Sequence, residues 1–209
     1  MTYSILALNS EKKVLGIAVA SGSLAVGSRV PWAKALVGAV VTQAYTNPSL
    51  GPLILKLMKL GYQAHMAVEY ALKLDSNPEL RQVAAIDAHG NIGVHTGQNT
   101  PQWHGEIVDK RSLCVCIGNL IRGREVLERM HITYTSLDTI DFAERLILAL
   151  NEGHKAGGDR RGDRSAAVLV VGVTEFSPYF DRVVDLRVDY SLNPIEDLFW
   201  LYKRFRKTI

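Results

Sequence analysis

The chain has 209 residues, of which 47% are hydrophobic and 22% charged, and its mean hydropathy is +0.05. These values are typical of a globular protein with one large domain or two small ones. The net charge of +3 is too small to favour nucleic-acid binding, and no apolar run reaches the roughly 18 residues that a membrane span requires.

The chain begins without a basic segment followed by an apolar one, which is the pattern of an export signal. We therefore expect a cytoplasmic protein. Cys114 and Cys116 lie in one apolar stretch and fall on the same face of a predicted strand. A C-x-C spacing without a second pair does not match a zinc site, so we interpret both as buried, reduced thiols.

Strand patterns and helical patterns both occur in pairs along the chain. Residues 2–9 and 14–21 are apolar runs joined by a polar turn, which predicts a β-hairpin. The nearly continuous apolar stretch 35–43 predicts a strand that is buried on both faces. Asn47, which precedes a proline, is the predicted N-cap of a helix that Gly61 ends.

The rest of the chain repeats this order. Further predicted elements are a helix at 63–74, a hairpin of 83–87 and 92–96, a strand at 112–117, helices at 121–131 and 138–152, strands at 165–173 and 183–190, and a helix from Asn193-Pro194. In the helix at 138–152 we assign Asp138 as cap, Asp141 to the third position and Gly153 as terminator. Because the chain has no linker and no internal sequence repeat, residues 1–209 are predicted to form a single α+β domain. Direct hairpins favour antiparallel sheets with helix pairs on their outer faces.

Thr2 follows the initiator methionine directly and begins the first predicted strand. A threonine at a free chain terminus carries a hydroxyl that can attack a carbonyl group. It also carries an α-amine, with a pKa of roughly 7.7–8.0, that can accept the hydroxyl proton. This chemistry requires removal of Met1. Threonine is also common in strands, so an ordinary structural residue is the alternative.

Several segments together resemble one known family. They are residues 1–5 (MTYSI), 26–34 (VGSRVPWAK), 42–52 (TQAYTNPSLGP), 117–119 (IGN) and 156–167 (AGGDRRGDRSAA). Over essentially its whole length the chain resembles the family called domain of unknown function 1028, which is placed with the N-terminal-nucleophile (Ntn) hydrolase superfamily. The resemblance implies a four-layer αββα sandwich of two mainly antiparallel sheets, in agreement with the predicted element order. It also implies an amidohydrolase acting on the C–N bond of a small amide or a related acyl compound, with Thr2 as nucleophile.

An acyl transfer of this kind needs a cation that keeps the proton acceptor neutral and donors for the developing oxyanion. The resemblance points to Lys34 as the cation. It places the oxyanion donors at the junction of strand and helix, where the candidates are Gln43, the backbone N–H of Ala44 or Tyr45, and Asn47. A solvated lysine at a strand edge is the alternative for Lys34, and an ordinary helix N-cap is the alternative for Asn47.

Other residues are candidates for binding the substrate or the nucleophile. Ser21 and Ser28 flank the turn after the second predicted strand and are placed to hydrogen-bond the amine of the nucleophile, although ordinary loop serines are the alternative. Tyr45 is a candidate for the pocket lining or, equally, a partly buried core tyrosine. An internal nucleophile such as Ser4, which needs no chain processing, is a further possibility.

The densest polar motif is the loop 157–165, which combines three glycines with alternating aspartate and arginine. Arginine binds planar anions through two hydrogen bonds, so this loop favours a substrate that carries a carboxylate, with Asp159 and Arg161 as the first candidates. A surface loop held by ion pairs, each worth about 0–1 kcal/mol, is the alternative.

The histidines do not predict a metal site. His89, His95 and His104 lie within sixteen residues, but their spacing fits no metal motif, so we expect no metal and no cofactor. Apolar helix stripes on both sheets leave room for a homo-oligomer. A non-catalytic protein with the same sandwich, which binds a small ligand or serves in assembly, is the alternative to a hydrolase.

Overall fold

The computed structural model describes residues 2–208, which form an α+β fold. The strands are β1 (Thr2–Asn9), β2 (Val14–Ser21), β3 (Pro31–Lys34), β4 (Gly38–Ala44), β5 (Arg81–Asp87), β6 (Ile92–Thr96), β7 (His104–Asp109), β8 (Cys114–Asn119), β9 (Ser165–Val171) and β10 (Arg182–Val188). The helices are α1 (Leu50–Lys59), α2 (Ala64–Lys73), α3 (Arg124–Ser136), α4 (Phe142–Lys155) and α5 (Pro194–Phe205).

The strands form two sheets. One has six strands in the order β10-β9-β2-β1-β8-β7, and the other has four in the order β3-β4-β5-β6. Each pairing between neighbouring strands is antiparallel. The prediction of an α+β protein with two antiparallel sheets is therefore confirmed.

Three buried apolar clusters separate four layers. One cluster lies between the six-stranded sheet and α3, α4 and α5, one lies between the sheets, and one lies between the four-stranded sheet and α1 and α2. Side chains alternate between the two faces of strand β1. Tyr3 and Ile5 pack towards the helices, whereas Leu6 and Leu8 pack between the sheets. Thr2 shares the parity of Leu6 and lies on the inter-sheet side. This layer order is consistent with the predicted sandwich.

The hairpin predicted at 2–9 and 14–21 is confirmed by β1 and β2. The strand predicted at 35–43 is wrong in its start, because it begins at Gly38. The preceding segment contributes the edge strand β3, which opens with a proline and has only four residues. Proline is tolerated at a sheet edge but weakens the strand signal. The prediction also missed β7, because this edge strand of the larger sheet is only partly buried and has no continuous apolar run.

The predicted start of α1 at Asn47 is also wrong. The helix begins at Leu50, and Asn47 Oδ1 instead accepts hydrogen bonds from the backbone N–H and the hydroxyl of Ser49. The side chain therefore stabilises a turn that precedes the helix. Gly61 follows the helix with a φ of +98°, as the prediction of a glycine terminator requires.

Two assignments in α4 are corrected in the same way. Asp141, rather than Asp138, is the N-cap, because its carboxylate accepts two backbone N–H groups of the first turn. Gly153 lies inside the helix and does not end it. A Cβ at Gly153 would lie 2.6 Å from Cγ of Met130, so the close packing of α3 against α4 requires glycine here. The residue with positive φ beyond the helix end is Gly157.

The two cysteines lie in β8, and both are fully buried and unpaired. Burial raises the pKa of Cys114 to about 12, so this thiol is not an activated nucleophile. The prediction of buried thiols is confirmed. Across residues 2–208, no helix has both the length and the apolar character needed to cross a bilayer.

A buried carboxylate anchors the segment that follows β4. The side chain of Asp75 is 1% exposed and accepts hydrogen bonds from Arg81 Nε and Nη2, from Asn47 Nδ2 and from the N–H of Asn77. Arg81 also donates through Nη1 to the carbonyl oxygen of Tyr45 at 2.6 Å. The hydrogen bonds from Arg81, more than any other interaction, lower the pKa of Asp75 to about 2.

We expect the Asp75→Asn variant to be less stable than the wild type near neutral pH. The pKa of Asp75 is lower in the folded protein than in the unfolded chain. Such a carboxylate stabilises the folded state fully when the pH is above its unfolded pKa, and the stabilisation is lost as the pH falls through its folded pKa. The difference in the free energy of unfolding should be about 1–2 kcal/mol at about pH 7 and should shrink between about pH 4 and pH 2. Urea unfolding at several pH values measures it. The exposed pair of Glu69 and Lys73 supplies the control, Glu69→Gln, for which we expect little change. A difference that does not depend on pH would contradict this role.

Candidate functional site

The side chain of Thr2 is held at one end of the inter-sheet layer. In the central strand β1, Thr2 lies opposite Ser21 of β2 and opposite Asn119 of β8. It is 3% exposed, and its hydroxyl donates to Oγ of Ser21 at 3.2 Å. Ser21 Oγ in turn accepts the backbone N–H of Ser23 at 3.0 Å. The strand register therefore fixes the hydroxyl of Thr2 beside a second hydroxyl.

A cavity of about 230 Å³ opens beside this pair of hydroxyls. Its wall comes from the ends of β1 and β2, the segment after β2 and the segment after β4. The lining residues are Thr2, Ser21, Ser23, Val26, Arg29, Val30, Ala44, Tyr45 and Thr46. Hydroxyl groups predominate among the polar side chains of this wall, so the cavity suits a small polar molecule.

Arg29 is the cation in the part of this wall that the structure describes. Its Nη2 donates to the carbonyl oxygen of Leu24 at 3.1 Å, which orients the guanidinium group and leaves other N–H donors on it. Arg29 lies in the segment 26–34, which resembles the family, but it is not among the residues predicted for the site. One feature of the sequence could have identified it: no acidic residue is close to Arg29 in the chain, and its neighbours are apolar or small residues.

Of the predicted site residues, the structure brings Thr2, Ser21 and Tyr45 together at this cavity. The side chain of Tyr45 is half exposed, and its backbone N–H donates to the carbonyl oxygen of Leu80 at 3.3 Å. That N–H is therefore already engaged, although we predicted it as an oxyanion donor. Ala44 has a φ of +69°, a left-handed conformation that is costly for a residue with a Cβ. This turn directs the chain after β4 towards the cavity.

Gln43 lies beneath the cavity and holds the backbone of Thr2. Its Nε2 donates to the carbonyl oxygen of Thr2 at 3.2 Å and to Oε1 of Gln82 at 2.8 Å, while its Oε1 accepts the hydroxyl of Ser4. Nδ2 of Asn119 donates to the same two oxygens, at 3.4 and 2.9 Å. Gln43 thus positions Thr2 and is not part of the cavity wall. Ser4 is fully buried in this network, which places it away from any substrate.

One atom of this network lacks a partner. Within residues 2–208, Oδ1 of Asn119 is a buried acceptor without a hydrogen bond. A buried polar atom without a partner costs about 1–3 kcal/mol, and such atoms are rare in native proteins. Asn119 lies opposite Thr2 in the sheet. Its unsatisfied oxygen therefore lowers the stability of the fold at the end of the inter-sheet layer that contains Thr2.

The other predicted residues lie elsewhere, and none belongs to the described wall of the cavity. Nζ of Lys34 lies 3.0 Å from Asp181 and donates to the carbonyl oxygen of Pro178. Asn47 donates to the Asp75 carboxylate, as described above. The hydroxyl of Ser28 donates to the carbonyl oxygen of Ala25 at 2.7 Å, inside its own turn.

Asp159 and Arg161 clamp the loop that supports the cavity wall. The buried carboxylate of Asp159 accepts the backbone N–H of Gly22 at 2.8 Å and Nε and Nη2 of Arg161 at 3.1 and 2.9 Å. Nη2 of Arg161 also lies 3.4 Å from the hydroxyl of Ser23, a residue of the wall. The pair therefore fixes the turn after β2. The structure does not bring either residue into the cavity lining.

A second buried carboxylate holds the far side of this loop. Asp163 Oδ2 accepts hydrogen bonds from the hydroxyl of Tyr3 and from Nδ1 of His154, both at 2.7 Å. Burial, and then the charge of Asp163, raise the pKa of Tyr3 well above its usual value. The hydrogen bond to Asp163 raises the pKa of His154. These contacts tie the loop to β1 and α4.

Comparisons with known proteins identify one family and several similar structures, among them the following two. The crystal structure of protein SPO2555 from Silicibacter pomeroyi is 32% identical, with a TM-score of 0.87, over 97% of this chain and 85% of that chain. Anbu, an ancestral β-subunit from Yersinia bercovieri, is 8% identical, with a TM-score of 0.43, over 100% of this chain and 96% of that chain, and supports no inference at that level. No curated protein matches significantly.

The family comparison covers nearly the whole chain. The model of DUF1028, a family of unknown function, matches residues 2–198, and the description of protein SPO2555 names the same family model. The matched range includes every residue of the cavity wall. The chain belongs to the DUF1028 family.

Proposed function

We propose that this protein is an Ntn-type hydrolase that cleaves a small amide or a related acyl compound and uses Thr2 as its nucleophile. The observation that carries the proposal is the Thr2 hydroxyl, held 3.2 Å from Ser21 Oγ on the wall of a polar cavity. The four-layer order of helices and sheets supports it, because the Ntn superfamily has this architecture. We also propose a cytoplasmic homo-oligomer, as the sequence predicts.

The reaction begins with the release of the Thr2 amine by removal of Met1, which lies outside the described residues. The hydroxyl oxygen of Thr2 attacks the carbonyl carbon of the substrate, and the α-amine accepts the hydroxyl proton. The ammonium then returns this proton to the leaving nitrogen as the C–N bond breaks, which leaves an ester on Thr2. Water hydrolyses the ester and restores the hydroxyl. Since nucleophile and base belong to one residue, these steps require no cofactor.

Groups around Thr2 have distinct roles in this mechanism. Gln43 and Asn119 hold its carbonyl oxygen, so the hydroxyl is positioned before the substrate binds. Ser21 accepts the hydroxyl hydrogen bond and orients the attacking oxygen. Donors for the oxyanion come from the wall, where the Tyr45 phenol and the Arg29 guanidinium are the candidates. One such donor is worth about 3 kcal/mol of transition-state stabilisation.

The size of the cavity supports the proposal of a small substrate. A volume of about 230 Å³ is small for a ligand site and admits only a compact molecule. A carboxylate on the substrate would pair with Arg29, since arginine binds carboxylates through two parallel hydrogen bonds. Arg161, which the sequence suggested for this role, already forms two hydrogen bonds to the buried carboxylate of Asp159. We therefore propose Arg29 as the residue that binds the carboxylate.

The nucleophile is tested with a hydroxyl-directed acylating reagent and intact-mass measurement. We expect mature protein without Met1 to gain one acyl group, Thr2→Ser to keep this labelling, and Thr2→Ala to lose it. Thr46→Ala is the matched control, because Thr46 lines the same cavity and should leave labelling intact. Retention of Met1 together with no labelling would contradict the enzyme and favour the non-catalytic ligand-binding protein.

The binding role of Arg29 is tested with a set of small amides that carry a carboxylate group. Each is compared with the same compound in which the carboxylate is replaced by a neutral methyl ester. We expect the wild type to prefer the carboxylates, and Arg29→Gln to raise KM for them about tenfold or more while kcat changes less. Arg111→Gln changes an exposed arginine away from the cavity and should leave both constants as they are. Equal KM values for wild type and Arg29→Gln would rule out this role and leave the Thr2 chemistry standing.

A further inference from the structure

We propose that Asp109, Cys114 and His131 form a binding site for one zinc ion on the helix side of the six-stranded sheet. The proposal does not depend on the Thr2 chemistry. Cys114 and Asn119 are the two ends of β8, so the site and the Thr2 cavity are separated by roughly 17 Å of strand. The sequence predicted no metal site, because the ligands are separated by four and sixteen residues, a spacing that matches no common zinc motif.

Three different elements bring the ligand atoms together. Asp109 ends β7 and Cys114 begins β8, and the two residues lie directly opposite each other in the antiparallel pair. Side chains of such a pair project to the same face of the sheet. His131 lies on α3, which packs over β7 and β8. The carboxylate oxygen, the thiol sulfur and the imidazole nitrogen all lie within 4.8 Å of one another.

These distances are close to those of a filled site. Zinc bonds of about 2.0–2.3 Å in a tetrahedron place ligand atoms roughly 3.3–3.8 Å apart. Nε2 of His131 and Oδ2 of Asp109 are already 2.9 Å apart. A small separation of this pair and a modest approach of Cys114 would complete the arrangement. Changes of side-chain torsion are sufficient for this, since the backbone already aligns the three residues.

The set of ligands also fits the charge of the ion. Sulfur, nitrogen and oxygen are the donors that zinc takes in proteins. On binding, the thiol of Cys114 releases its proton to solvent, and His131 binds as the neutral imidazole with its proton on Nδ1. One carboxylate and one thiolate then neutralise the divalent ion. A neutral site is what a partly buried position favours, because an isolated charge is costly there.

The carboxylate ligand is oriented from outside the cluster. Oδ1 of Asp109 accepts the backbone N–H groups of Arg111 and Ser112 at 2.9 and 3.0 Å, which leaves Oδ2 directed at His131. Partners of this kind, which bind a ligand rather than the metal, hold it in place. The side chains of Asp109 and His131 are 22% and 27% exposed, so solvent reaches the site. A water molecule would take the fourth coordination position.

Zinc titration of untagged, metal-free protein by isothermal calorimetry tests the site. We expect one zinc ion per chain in the wild type, and at least about tenfold weaker binding in Cys114→Ser and in His131→Gln. Cys116→Ser is the matched control, since this second buried thiol lies on the same face two residues away but outside the cluster. It should bind zinc as the wild type does.

Cobalt substitution gives a second measurement that does not depend on affinity alone. A thiolate bound to Co²⁺ produces a ligand-to-metal charge-transfer absorption, which we expect in the wild type and in Cys116→Ser but not in Cys114→Ser. Circular dichroism shows that each variant is folded. If Cys114→Ser fails to fold, the result for His131→Gln decides, because the side chain of His131 is partly exposed whereas that of Cys114 is fully buried. Absence of stoichiometric zinc binding by the wild type, or unchanged binding in His131→Gln, would overturn the proposal and leave an ordinary hydrogen-bonded pair.

Discussion

The central position of β1 in the six-stranded sheet is the constraint on which the candidate site depends. The strand is paired on both edges and buried on both faces, so its register cannot slip without moving apolar side chains out of both cores. A shift of one residue would place Tyr3, whose hydroxyl binds Asp163, in the inter-sheet layer. The location of Thr2 opposite Ser21 is therefore a consequence of core packing along the whole strand. A local turn could not fix a hydroxyl as firmly.

The layer between the sheets is apolar along most of its length and polar at the end that contains Thr2. Ser4, Gln43, Gln82 and Asn119 replace aliphatic side chains there and bond to one another and to the carbonyl oxygen of Thr2. Buried amides stabilise a fold only when their partners are in place, so this network requires one relative position of the two sheets. Among residues 2–208, Oδ1 of Asn119 has no hydrogen-bond partner, so the hydrogen bonding of this network is not complete within the described structure. An apolar end would be simpler to stabilise, and this physical argument supports the functional role that we propose for the polar end.

Sequence reasoning predicted the elements better than the site. Periodicity located β1 and β2, and Asn193 together with Pro194 located the start of α5, because these signals depend on neighbours in the chain. It failed where tertiary contact decides, as at Gly153, whose role is the approach of α3 and which no local pattern distinguishes from a helix terminator. Thr2 and Ser21 lie at the ends of β1 and β2, and Tyr45 follows β4, because strand ends can be located from local patterns. The position of Lys34 beside Asp181, and the meeting of Asp109 with His131, depend on how distant segments pack.

The two arginines near the cavity illustrate why a polar motif alone does not identify a binding residue. Arg161 belongs to the densest charged loop of the chain, yet its guanidinium lies against the buried carboxylate of Asp159. The field that such a pair presents to a ligand is that of a dipole, which falls off faster than that of a single charge. Arg29 comes from a segment with few other charges, and its guanidinium donates a hydrogen bond to the neutral carbonyl of Leu24. Its positive charge is thus not offset by that contact. Under our proposal, an anionic substrate is therefore attracted mainly by Arg29, while the Asp159–Arg161 pair fixes the turn that carries Ser23 of the cavity wall.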